Sequence, residues 1–204
     1  MIVTVVVLAV LAAALGWLYL HTRAKQQRMF AERQAAAAQL GLVPAPVPVR
    51  LEEVAARIFQ AQGNAERLVT GQATAFDYTY STTRTSTAAK CHVITYELPA
   101  ALPPIAVLRK NPMLPGQEFE SEQFNKLFSV ECADSRYASA MMNPQMMVWL
   151  VDGYPSFQWR IEGRLLITWG VGYWNVPTVT NAIRAFQGIV ERIPPFVLRD
   201  YGAH

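Results

Sequence analysis

Residues 74–98 read TAFDYTYSTTRTSTAAKCHVITYEL. Phe76, Tyr78 and Tyr80 alternate with Ala75, Asp77 and Thr79, which is the period-2 pattern of a strand with one face turned inward. His92, Ile94, Tyr96 and Leu98 repeat the alternation, so the segment predicts a hairpin. Its tip, residues 81–87, is a polar run of Ser, Thr and Arg, a plain exposed loop whose hydroxyls are also open to phosphorylation. Working outward, residues 105–108 and 128–132 predict two further strands. Pro99, Pro103 and Pro104 mark a linker before the first of these, and Asn111-Pro112 and Pro115-Gly116 mark turns after it. Phe157, Trp159 and Ile161 alternate with Gln158, Arg160 and Glu162. Gly163 then predicts a tight turn, with residues 165–169 pairing back as a second hairpin.

Helical spacing appears between these strands. Leu51, Val54, Ala55, Ile58 and Phe59 share one helical face, stopped by Gly63. Asp134 suits an N-cap for a helix over 135–142, and Asn143 caps a second piece with Pro144 at its first position. Val179, Ile183, Phe186, Val190 and Ile193 form the apolar stripe of a last helix that begins near Pro177 and ends at Pro194-Pro195. There is no internal repeat and no alternation of strand and helix. The expectation is an α+β domain over residues 51–204, with a mostly antiparallel sheet and helices packed on one face.

Residues 1–20 contain no charged side chain, whereas Arg23, Lys25, Arg28 and Arg33 follow against the single acid Glu32. About twenty apolar residues suffice to cross a bilayer, which predicts a transmembrane helix over 1–20 rather than a cleaved signal with basic residues in front. Bases after a span stay inside. The expected placement is therefore the plasma membrane, single-pass, with the N-terminus outside and the C-terminal domain in the cytoplasm. Residues 21–40 predict a basic juxtamembrane helix in which Arg23, Lys25 and Arg28 meet lipid headgroups. Met29, Phe30, Arg33, Ala37 and Leu40 recur near helical spacing, a stripe suited to a partner helix or to the protein's own domain. Residues 41–50 predict a stiff connector, with proline at 44, 46 and 48.

Charge and cysteine content exclude several classes. Residues 41–204 carry fourteen bases and fourteen acids, so the whole excess of +3 sits in 21–40. A balanced domain argues against nucleic acid as a partner. Cys91 and Cys132 are the only cysteines, and none of the six asparagines begins a glycosylation sequon. Reduced thiols fit best.

The residues that carry chemistry have simpler explanations. Cys91 and His92 are adjacent, so in a strand they point to opposite faces and cannot act as a nucleophile–base pair. With Cys132 they lack zinc spacing. Met141, Met142, Met146 and Met147 could ligate Cu(I) or face a partner, although methionine at helical spacing also fills cores. Glu118, Glu120 and Glu122 would share one face of a strand and could gather a cation, or simply be solvated. Asp77, between two aromatic residues, either faces water or pairs inside. No phosphate-binding glycine loop or nucleophile elbow occurs. No cofactor and no metal site are expected.

Phe76-Asp77-Tyr78-Thr79-Tyr80, Glu97-Leu98-Pro99, Glu120-Ser121-Glu122-Gln123-Phe124-Asn125 leading to Phe128-Ser129-Val130, and Met146-Met147-Val148-Trp149-Leu150 follow in an order that resembles a family of uncharacterised actinobacterial membrane-anchored proteins. The resemblance covers roughly residues 66–200 and the N-terminal segment. It implies an actinobacterial plasma-membrane protein and passes on no catalytic residue. The expected function is a non-enzymatic, membrane-anchored interaction protein, an accessory or assembly subunit of a larger membrane complex, with a respiratory complex as one host. Its partners would be the lipid bilayer and integral-membrane proteins. The alternative is a small-ligand or lipid-binding domain with Tyr78, Tyr80, Tyr96, Trp159 and Trp169 as pocket walls.

Overall fold

The computed structural model describes residues 2–81, 88–111 and 117–203, the side chains of residues 2–15 and 26 excepted. In chain order the elements are α1 (Ile2–Ala38), β1 (Val43–Pro44), α2 (Val49–Phe59), β2 (Gly63–Thr70), β3 (Thr74–Ser81), β4 (Ala88–Arg109), α3 (Glu122–Leu127), β5 (Phe128–Cys132), α4 (Ser135–Met141), α5 (Pro144–Gly153), β6 (Trp159–Val171), α6 (Val176–Arg192) and α7 (Pro195–Asp200). The fold is α+β with an antiparallel sheet in the order β1-β2-β3-β4-β5, with β6 on the other edge of β4.

One long strand organises the sheet. β4 runs for 22 residues, through the prolines that predicted a linker. Its first half pairs with β3 from Ser81↔Ala88 to Thr74↔Thr95, and its second half pairs with β5 from Ile105↔Cys132 to Arg109↔Phe128. β6 follows both halves, from Cys91↔Val171 to Val107↔Trp159, with register shifts on either side of the Leu102↔Gly163 pair. The expected second hairpin is therefore a single bulged strand. Gly163, at φ +61°, supplies the left-handed residue of the irregularity and not a turn. Proline donates no ladder hydrogen bond, and the prolines of β4 fall where the register shifts, the position at which a strand accepts them.

Both faces of the sheet are covered, which corrects the expectation of helices on one face. Leu51, Val54 and Ala55 of α2 pack with Phe76, Tyr78, Val93 and Ile167 on one side. The larger core lies on the other side, where Ile94, Val107 and Trp159 meet Tyr137, Phe186 and Ile189 from the remaining helices. Ala75 and Asp77 look like a solvent face in the sequence because they are small and acidic, yet both are buried. The N-caps at Asp134 and Asn143 form as expected, each side-chain oxygen accepting from backbone N–H groups one turn on.

Among the described residues, no helix is long and apolar enough to cross a membrane. The span expected over 1–20, and the single-pass plasma-membrane placement with the N-terminus outside that rests on it, are corrected accordingly. The side chains of residues 1–15, on which most of that expectation fell, lie outside the described residues. From Gly16 onward α1 carries Arg23, Lys25, Arg28, Glu32 and Arg33, more charge than hydrocarbon tolerates. The hairpin tip at 82–87 and the turn residues 112–116 also lie outside the described residues.

The segment after α1 belongs to the sheet. Val43 and Pro44 pair with Thr70 and Val69, and Ala45 N–H donates to the Leu68 carbonyl at 3.2 Å. An outermost strand tolerates proline because its outer N–H has no ladder partner to lose. Ala37 and Leu42 are fully buried on either side of the turn, so the C-terminal end of α1 is part of the domain's core.

Candidate functional site

Two arginine–tryptophan contacts mark the two regions that stand out. In the first, Asp77 projects from β3 toward the end of α1 and is 2% exposed. Arg33 of α1 donates to both of its carboxylate oxygens through Nη2, at 3.0 and 3.1 Å. Arg67 lies 3.6 Å away, and the Trp174 backbone N–H donates to Oδ1 at 3.0 Å. Arg67 reaches the pair because β2 bulges there, its register shifting between Glu66 and Val69 with Arg67 at φ +58°. Trp174 Nε1 donates to the Arg67 carbonyl at 2.9 Å and holds that strained residue. The Arg33 guanidinium lies 4.1 Å from the Trp174 ring centre. Burial lifts the Asp77 carboxyl above its ordinary value against the pull of both arginines, and burial lowers Arg33.

His92 sits across from Asp77 in the β3–β4 ladder and packs over Gly170, where a Cβ would lie 2.8 Å from the ring. Its Nδ1 lies 3.1 Å from the Gly172 carbonyl. Burial pushes the imidazole below its ordinary value, outweighing that contact and Asp77. Near the rim, burial would raise the Tyr173 hydroxyl, but hydrogen bonds from Lys90 and Arg67 bring it below its ordinary value. The Asp77 carboxylate is met within its own chain by both arginines and the Trp174 N–H, while the buried Arg33 Nε has no hydrogen-bond partner among the described residues. The cluster fastens α1 to the sheet.

The second region is open. α5 starts at Pro144, and its outward face together with the end of α6 lines a surface groove of about 900 Å³ formed by Gln145, Val148, Trp149, Asp152, Glu191 and Arg192. Val148 is 58% exposed at its centre. Trp149 is set by packing, since a Cβ at Gly188 of α6 would collide with its ring. Arg192 lies 4.7 Å from the Trp149 ring centre and donates to the Gly188 carbonyl at 2.9 Å. Across Pro144 a second groove of about 430 Å³ continues the face, with Phe119, Met142, Met147 and Phe196 on its floor and Glu118 and Glu120 at its edge.

The structure separates the residues that the sequence singled out. Phe30 and Arg33 turn into the domain, whereas Met29 is 43% exposed and Arg23, Lys25 and Arg28 stand on the exposed part of α1. Met141, Met142, Met146 and Met147 are all buried and pack the main core, two of them reaching the floor of the second groove. Glu118 and Glu120 precede α3 and Glu122 begins it, so the three carboxylates do not form a strand row. Cys91 and Cys132 are free thiols, and among the described residues no group of three or more His, Cys, Asp or Glu could hold a metal. Tyr78, Tyr80 and Trp169 pack with α2, whereas Tyr96 and Trp159 pack on the opposite side, so these aromatics do not wall one pocket.

Sequence reasoning missed the α5–α6 groove. The available signal was residues 144–153, PQMMVWLVDG, which are apolar on more of the helix circumference than a single core can bury.

No protein-family model and no curated protein matches the sequence. Among solved structures the chain is similar to the mycobacterial trehalose monomycolate transport factor A, TtfA, with a TM-score of 0.54 and 13% identity over 82% of this chain and 98% of that one. At that identity the likeness is one of fold.

Proposed function

We propose that the chain is an accessory factor in the transport of a glycolipid with long acyl chains, acting through binding and not through catalysis. The observation that carries this reading is the fold shared with TtfA, because it extends over nearly the whole of that protein. A second observation supports a binding role. The α5–α6 groove places an exposed valine and a tryptophan among two carboxylates, an amide and an arginine, an apolar floor with a few polar groups, as binding clefts have. The groove is open along the surface, so it suits docking better than the enclosure of a whole lipid.

The test is made in the native cells. The chain is removed, newly made trehalose glycolipid is labelled, and its division between the cell interior and the cell surface is followed. Retention inside the cell, reversed when the chain is restored, supports the reading. An unchanged distribution refutes it.

A further inference from the structure

Among the described residues the face around Pro144 has no partner within the chain, and its chemistry selects one. α5 presents Gln145, Val148 and Asp152 outward, at i, i+3 and i+7, so that they form one ridge of side chains along a helix face. Such a ridge, bounded by a groove, is the shape against which a second helix packs. The two grooves that meet at Pro144 are lined by four carboxylates, Glu118, Glu120, Asp152 and Glu191, and by a single base, Arg192. That base is already engaged, lying over Trp149 and donating to the Gly188 carbonyl. Residues 41–204 are charge-balanced, so this concentration of acid around apolar residues is a local feature. Val148 at 58% exposure and Phe196 at 43% supply the apolar anchors in its middle.

We infer that this face docks a basic amphipathic helix of a partner protein. The apolar side of that helix lies over Val148, Trp149 and Phe196, and its Lys and Arg residues meet the four carboxylates. Acidic edges disfavour an anionic lipid surface, and they disfavour a second acidic groove of the same kind. The inference rests on the transport reading for its context but names the partner chemistry of this one face. In that reading the helix belongs to a component of the transport machinery.

The test places a photo-reactive amino acid at position 148 of the full chain in its native cells, then irradiates and sequences what is attached. The expected product is one protein segment with apolar residues at helical spacing and an excess of Lys and Arg. Reversing Glu118→Lys and Glu120→Lys together lowers its yield about tenfold or more, as loss of complementary charge does at a steered interface. Val148→Asp, read from a reporter at Gln145, lowers it to a similar extent, with thermal unfolding of both variants unchanged. Attachment to lipid, to another copy of this chain or to an acidic or neutral segment overturns the inference. So does a yield that ignores the charge reversal, or no product at all. Because the readout is the identity of the attached segment, it fails independently of the glycolipid assay.

Discussion

The chain uses the same pair of residue types twice, and the surroundings make the pairs different. Arg33 lies over Trp174 with a 2%-exposed aspartate behind it, sealed by the chain's own first helix. Arg192 lies over Trp149 at the edge of an open groove, its nearest carboxylate Glu191 at 3.8 Å and largely exposed. The first contact is desolvated and therefore costly to disturb. The second stands at the rim of an open groove, where the ion pair with the exposed Glu191 contributes little. The contact type is shared and the roles diverge: one region holds the molecule together, and the other is left for use.

The largest effect is expected from breaking the sealed cluster. Asp77→Ala leaves two arginines with their partner removed and the Trp174 N–H unsatisfied, and should cost about 3–5 kcal/mol in urea unfolding. Arg33→Met combined with Asp77→Leu should recover much of that loss, because an apolar pair removes the stranded charge. A loss of less than about 1 kcal/mol in Asp77→Ala would show that the cluster is not sealed.

Gly188→Ala sharpens the open side. The added methyl displaces the Trp149 ring, at a cost of about 1–3 kcal/mol, and should change Trp fluorescence. An unshifted spectrum with unchanged stability would mean that Trp149 is not held by that glycine.

A smaller effect belongs to His92. Its folded value is lowered by burial, so below the ordinary imidazole value of about 6.5 the unfolded chain binds the proton more readily. Stability should therefore fall as the pH drops below that value, until the lowered folded value is passed. In His92→Gln that part of the pH slope should vanish. A stability that rises on acidification through this window would contradict the assignment.

The smallest stability effect is expected for Val148→Asp, within about 0.5 kcal/mol of the parent, since the side chain already faces solvent. A larger loss would place Val148 in the core.

These differences explain what the sequence could and could not disclose. Local signals were legible. The alternation around Phe76 and Tyr78, the caps at Asp134 and Asn143 and the apolar stripe of the last helix each depend on near neighbours, and each element forms where the pattern places it. Properties set by distant parts of the chain were hidden. Pro99, Pro103, Pro104 and Gly163 punctuate a sequence strongly, yet the pairing of β4 with β6 carries both strands through them as a bend. Asp77 has the same local pattern whether it faces water or an arginine 44 positions away, and only the return of α1 onto the sheet decides between them. The span expected over residues 1–20 rested on the length of an uncharged run and its basic flank, and neither shows that α1 ends in the domain's own core. The open groove was concealed in another way, because Val148 and Trp149 look like ordinary core residues until α6 leaves one side of α5 uncovered.

If the uncovered side of α5 serves glycolipid transport, Val148→Asp should disable it: the variant is restored to cells that lack the chain, and the newly made trehalose glycolipid that reaches the surface is measured. The expected result is a folded variant at normal abundance whose cells export no more than cells without the chain. Full export by Val148→Asp would contradict it.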